Sequence, residues 1–243
     1  PARYLLDTLR RLEPPTVAGG AFAGVDVSRD AYGNIVAHYA NLPEQRQPPL
    51  ALVAHMDHPG FEITGARADG LLASALGGVP VASLKRPTPV LILAPDGERI
   101  PATTAPIEDG QADERTVLIR PRAGAPLTAP LPVVFDLPDF DLEGETIRMR
   151  AADDLAGCAA ILAALERVVS TGVEADLYAV FTRAEEAGLY GARLMAEAGT
   201  LPPDTIVVSV ESSAVIPGVS QGEGTVIRTG DASYTFDADA EQV

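Results

Sequence analysis

Cysteine, basic side chains and long apolar runs are all scarce in this chain, and each shortage closes off a class of function. A single cysteine in 243 residues cannot form a disulfide within the chain. Cys158, set in the Ala-rich run Ala156-Gly157-Cys158-Ala159-Ala160, reads as a packed thiol rather than a nucleophile, so redox chemistry is not indicated. Only 18 Lys plus Arg stand against 34 Asp plus Glu, a formal net charge of −16; a nucleic-acid binder needs a basic face, which argues against polyanionic partners. The longest apolar stretch, within Leu155 to Leu165, is too short to span a bilayer. No charged, apolar, small-residue leader precedes the first helix, so a soluble cytoplasmic protein is expected.

With 47% hydrophobic residues, 22 Gly and 21 Pro, the chain can bury a real core and has many turns. Arg3 to Leu12 carries apolar residues at helical spacing and ends before Pro14-Pro15, where a helix would stop. Val25-Asp26-Val27-Ser28 and Asn34 to Tyr39 read as a hairpin around Asp30-Ala31-Tyr32-Gly33. From about residue 66 to 145 the texture turns to short β-type runs, such as Val81-Ala82-Ser83-Leu84 and Val90-Leu91-Ile92-Leu93, among many Pro and Gly. Alternation then resumes: helix from Leu155 to Val169, strand from Leu177 to Thr182, helix from Leu189 to Ala198, strand from Ile206 to Val210. The expected fold is α/β, a mixed, largely parallel sheet flanked by helices, split as 1–65 and 146–243 around an all-β insert at 66–145.

Four apolar elements each deliver an acid or a histidine at one end. Leu50-Ala51-Leu52-Val53-Ala54 runs into His55-Met56-Asp57; Asp153-Asp154 precede an apolar helix; Phe181-Thr182 lead to Glu185-Glu186; and Ile206 to Val210 ends on Glu211. In a parallel sheet such ends share one edge, where α/β proteins bind ligands. Adjacent carboxylates repel unless a cation or shared proton compensates. Each fragment alone is weak: Asp-Asp before a helix is most often a cap, and Glu-Glu before Ala-Gly a solvated loop. Together, and in this order, they point to a metal centre. Zinc-type ions take His nitrogen and carboxylate oxygen, and a two-metal centre needs a bridging ligand. His55 is the one histidine at a suitable strand end, Asp153 is the natural bridge, and Glu186 and Glu211 can complete the two shells. Asp57 can hold the His55 ring in its metal-binding tautomer. Glu185, aimed elsewhere, can act as the general base. His38 reads as a half-exposed strand residue, and His58 as a wall or surface histidine.

The runs His55 to Phe61, Ala152 to Cys158 and Phe181 to Ala192, with Leu76-Gly77-Gly78 and Val210-Glu211-Ser212-Ser213, resemble the glutamyl aminopeptidase and tetrahedral aminopeptidase family of dimetal peptidases over nearly the whole chain. The resemblance implies a zinc-exopeptidase-like fold and hydrolysis of N-terminal residues from peptides. It implies two divalent ions, Zn2+ foremost with Co2+ or Mn2+ as alternatives, and homo-oligomeric assembly. Carried onto this sequence it makes His55, Asp153, Glu186 and Glu211 metal ligands, Glu185 the base and Asp57 the partner of His55, and it implies a cis bond after Asp153. The insert corresponds to the family's small β domain. Glu211 stands where the family commonly has Asp. The family's last histidine ligand comes from near its C-terminus, and no His follows His58 here, so the chain reads as C-terminally incomplete. Two alternatives stay open: a related metal-dependent amidohydrolase or deacylase, and a non-catalytic homologue lacking that ligand.

Overall fold

Apolar positions at helical spacing open the chain, and Leu5 and Leu9 are buried, so the first element is a helix lying on a sheet. The structure, a computed structural model, describes residues 1–12, 24–42, 47–107, 113–122, 129–231 and 234–239; the expected stop at Pro14-Pro15 lies outside them. In chain order come α1 (Ala2–Leu12), β1 (Val25–Arg29), β2 (Ile35–Asn41), β3 (Leu50–His55), β4 (Gly60–Arg67) and β5 (Gly70–Leu76). There follow α2 (Val81–Leu84), β6 (Pro89–Leu93), β7 (Arg99–Ala105), β8 (Thr116–Pro121), β9 (Leu131–Phe135), β10 (Asp141–Glu143) and β11 (Thr146–Arg148). The last are α3 (Ala152–Thr171), β12 (Ala175–Thr182), α4 (Tyr190–Glu197) and β13 (Ile206–Ser209).

The five-stranded sheet has the order β1-β2-β12-β3-β13. Strands β12, β3 and β13 are mutually parallel, whereas β1 with β2 and β2 with β12 are antiparallel. The sheet is thus mixed, and not largely parallel as expected. The cause is the tight turn after β1, where the Asp30 carboxylate accepts the N–H groups of Tyr32 and Asn34 and Gly33 takes φ +89°, returning β2 against its neighbour. Helices α1 and α3 cover one sheet face, packing Leu9, Cys158, Ile161 and Leu165 on Tyr39 and Phe181. Met195 of α4 packs on Val36, Ala51 and Val180 on the other.

Strands β4-β5-β8-β7-β6-β9 close into a barrel filled by Ile63, Val90, Ile92, Val117, Ile119 and Val133. Its first strand begins at Gly60, ahead of residue 66, because Gly60-Phe61 continue straight from the histidine motif into the barrel core. The β-type reading of Val81–Leu84 is overturned: these residues form one helical turn. Pro80 sets the extended entry at φ −64°, the Ser83 hydroxyl donates to the Pro80 carbonyl at 2.6 Å, and Leu84 plugs the barrel. Among the described residues no helix is long and apolar enough to cross a membrane.

Candidate metal centre

The carboxyl ends of β12, β3 and β13 lie side by side, and each hands a polar group to the same spot. His55, the last residue of β3, is only 3% exposed. Its Nδ1 faces the Asp57 backbone carbonyl at 3.0 Å. With a proton on Nδ1 donated there, Nε2 presents its lone pair to the opposite side. On that side stand Asp153 Oδ1 at 3.1 Å, Glu211 Oε2 at 3.6 Å and Glu185 Oε2 at 3.8 Å. One ligand atom each from His55, Asp154 and Glu211 also lies within 4.8 Å of the others.

Asp153 and Asp154 open α3 with non-helical backbone angles, and the bond between them is cis, as the resemblance implied. Asp154 was read only as a neighbour of the bridging residue, yet it is fully buried. Its Oδ1 accepts the Gly157 N–H at 3.1 Å, while its Oδ2 has no hydrogen-bond partner. Burial, with Glu211 nearby, pushes its carboxyl up to about 7. The signal in the sequence was the glycine three residues on: a Cβ at Gly157 would sit 2.4 Å from Asp154 Oδ1.

Asp57 acts differently from expectation. Its carboxylate is 3.9 Å from His55 Nδ1 and does not hydrogen-bond the ring; the ring is held by the Asp57 carbonyl instead. The carboxylate oxygens accept the N–H groups of Glu185 and Glu186, both at 3.2 Å, and so shape the loop that carries the pair. Alternation along an extended chain would put the side chain toward His55, but regular β3 ends at His55. Glu186 is not among the close contacts of His55: its Oε2 accepts the Gly78 N–H from the barrel at 3.0 Å. Glu211 Oε1 accepts the Ser212 N–H at 2.9 Å. His38 pairs with Asp176 at 2.7 Å and stacks on Tyr178, and His58 Nδ1 faces the Pro59 carbonyl, so neither joins the cluster.

Asn34 escaped the sequence reading. Fully buried, it donates to the Gly191 carbonyl at 3.0 Å and accepts the Arg183 N–H at 3.0 Å, clamping both ends of the Glu185-Glu186 loop. Because β2 is antiparallel, its start rather than its end lies at the site. Within the loop, Ala184 takes φ 55°, a conformation that residues with a Cβ rarely adopt.

The electrostatics call for a cation. Among the described residues no Lys or Arg pairs with Asp57, Asp153, Asp154, Glu185, Glu186 or Glu211; His55 lies within 4 Å of the carboxylates of Asp57, Asp153, Glu185 and Glu211. Burial works against charge on its ring, but Glu211, Glu185 and the Asp57 carbonyl outweigh it and lift His55 to about 9. Burial foremost, with Glu211, raises Asp153; burial and neighbouring carboxylates raise Glu185. Glu211 is lowered, burial being outweighed by His55 and Asp153. The orphaned Asp154 oxygen and the oxygen-rich set around one imidazole nitrogen fit divalent ions of the zinc, cobalt or manganese type. Buried Cys158 stays outside this chemistry: its thiol donates to the His55 carbonyl at 3.2 Å, and burial pushes it up to about 12.

Residues 131–242 match the family model of the M42 glutamyl aminopeptidases. The matched stretch makes up just under half of the chain. It holds Asp153, Asp154, Glu185, Glu186 and Glu211, while His55 and Asp57 reach the cluster from outside it. The match bears out the family resemblance, and the family is one of peptide hydrolases. Solved structures share the fold. The Pyrococcus horikoshii TET1 peptidase, which assembles into a tetrahedron or a large octahedral shell, is 22% identical with TM-score 0.71, over 98% of this chain and 79% of that one. An aminopeptidase from the archaeon Desulfurococcus kamchatkensis is 21% identical with TM-score 0.67, over 94% of this chain. This chain spans 63% of that enzyme, less than two thirds. A Thermotoga maritima protein described as an endoglucanase is 21% identical with TM-score 0.62, over 99% of this chain and 72% of that one. At such identities the likeness is one of fold, and activity has to be argued from the site.

Proposed function

We propose that this chain is a metal-dependent aminopeptidase that removes N-terminal residues from peptides with a dinuclear centre. One observation carries the reading: His55 Nε2 faces the carboxylates of Asp153, Glu185 and Glu211 within 3.1–3.8 Å at the shared carboxyl edge of three parallel strands. His55, Asp153, Glu186 and Glu211 would hold the ions, Asp153 being shared between them, with buried Asp154 next in sequence. Bound divalent ions would supply Lewis-acid polarisation of the scissile carbonyl and anchor the free amine of the peptide. Glu185, whose carboxyl is raised above its ordinary value, takes a proton from the attacking water and passes it to the leaving amine. Asp57 positions both ends of this apparatus, His55 through its carbonyl and the Glu185-Glu186 loop through its carboxylate. A retaining or inverting glycosidase is disfavoured because neighbouring Glu185 and Glu186 do not straddle a sugar bond. By analogy with the assembled TET1 peptidase, the chain works as a homo-oligomer.

A non-catalytic reading has one observation in its favour: only one of the three histidines belongs to the cluster. Aminoacyl-anilides with free and with acetylated amines, given to the Zn2+- or Co2+-loaded chain and to Glu185→Gln, decide the matter. The expected result is cleavage of the free-amine series alone, and a loss of about 10²- to 10⁴-fold in kcat for Glu185→Gln. Equal cleavage of the acetylated series would make the chain an amidohydrolase or deacylase. No turnover by the metal-loaded protein would make it non-catalytic.

A further inference from the structure

The barrel touches the site through a turn that has no room for a side chain. Gly77 takes φ +75°, and a Cβ there would lie 2.9 Å from both Glu186 Cβ and Oε2 and 3.2 Å from Pro59 Cα. The next residue, Gly78, gives its N–H to Glu186 Oε2 at 3.0 Å. Among the described residues that N–H is the one protein donor to the Glu186 carboxylate. Behind the turn stands Arg115, just before β8. Its Nη2 donates to the Gly77 carbonyl at 2.6 Å, and Nε and Nη1 reach the carbonyls of Ala75 and Val79, each at 3.4 Å. Its own carbonyl accepts the Ala75 N–H at 2.8 Å. One planar guanidinium thus fastens alternate carbonyls at 75, 77 and 79, a task that a lysine ammonium, a single point of charge, does not duplicate.

We propose that Arg115 is a positioning residue for Glu186: it locks the Gly77-Gly78 turn, and the locked turn aims the Glu186 carboxylate, so the barrel sets the geometry of one ligand. Its consequence for metal binding rests on the metallopeptidase reading above; the latch itself does not. Glu186 is held at two points, its backbone by the Asp57 carboxylate from the β3 side and its carboxylate by Gly78 from the barrel. Release of the second leaves the side chain to rotate. Arg115 lies on the barrel, far along the chain from every ligand, and touches none of them.

Five proteins test this: wild type, Arg115→Ala, Glu186→Ala, the double variant, and Arg115→Lys as a milder change that keeps the charge. Amide hydrogen exchange at Gly78 in the metal-free chains reads the latch directly. Faster exchange than wild type is expected in Arg115→Ala and in Glu186→Ala, and an intermediate rate in Arg115→Lys; Gly78 exchange unchanged in Arg115→Ala overturns the proposal. Titration with Co2+ alone reads the consequence. Arg115→Ala is expected to bind about tenfold more weakly, the size of effect that the partners of metal ligands show, and to add nothing once Glu186 is gone. Fully additive losses would mean that Arg115 acts elsewhere and would overturn it. A wild-type chain that takes up no Co2+ would sink the metallopeptidase reading, and the Gly78 exchange rates would still judge the latch. Exchange at core amides of the barrel, such as Val117 and Ile119, is expected to stay at the wild-type rate; a rise there in step with Gly78 would mark general loosening and count against the proposal.

Discussion

His55 has two ways to neutralise its surroundings, and they respond oppositely to pH. Without metal its ring carries a proton among carboxylates, at about 9 rather than its ordinary 6.5. A raised basic group stabilises fully below 6.5 and loses that contribution as pH climbs through 9. Asp154, raised from 3.8 to about 7, favours the folded state in its protonated form, and that contribution too declines as pH climbs, between 3.8 and 7. Calorimetry on the chelator-stripped chain is therefore expected to give a lower melting temperature at pH 9 than at pH 6.5. His55→Asn is expected to flatten the upper part of that slope, and an unchanged slope would contradict the assignment. Saturating Zn2+ is expected to reverse the trend, because ligation requires deprotonated side chains and strengthens as pH rises. Which residues stand at the site was legible in the sequence, since His55, Asp153, Glu185 and Glu211 each follow or precede an apolar run. Which atom of Asp57 does the work was not, because β3 ends at His55 and strand alternation no longer fixes where the Asp57 carboxylate goes.

Elements explain what the residues alone leave open. The three parallel strands β12, β3 and β13 were readable as apolar runs, and their shared polarity is what gathers the acids. Strand β2 was equally readable as one arm of a hairpin, but its place beside β12 was not, and so Asn34 at its start went unnoticed. The four-residue α2 gave no periodicity long enough to separate a helical turn from a strand; Pro80 and Ser83 decide it locally. At the head of α3, Gly157 lets the Asp154 carboxylate fold back onto the helix. Gly157→Ala puts a methyl group against both carboxylate oxygens, and overpacking of this kind costs about 1–3 kcal/mol. The expected outcome is a lower melting temperature together with weaker metal binding, measured by thermal unfolding and Zn2+ competition. Weaker stability with untouched metal affinity would remove Asp154 from the site.

The whole molecule consists of a helix-covered sheet that bears the site and a closed barrel that leans on it through Gly77-Gly78. The alternation that pointed to the sheet and the Pro- and Gly-rich texture that pointed to a β-rich insert were both visible in the sequence, whereas the hydrogen bond from Gly78 to Glu186 that joins them was not. Outside both bodies, the β10-β11 ribbon leaves Phe140, Leu142 and Ile147 more than half exposed, as surfaces that meet a partner do. Sedimentation of the 25.3 kDa chain is expected to give a multiple of the protomer mass, and a monomer at micromolar concentration would contradict homo-oligomeric assembly. The central claim, that one cluster of carboxylates around a single imidazole holds a bridged pair of ions, is tested most directly by counting metal. After dialysis against Zn2+ and removal of the excess, mass spectrometry of the metal content is expected to find about two ions per chain, falling in Asp153→Ala, which removes the bridge. One ion or none in the wild-type chain, or two that persist in Asp153→Ala, would contradict it.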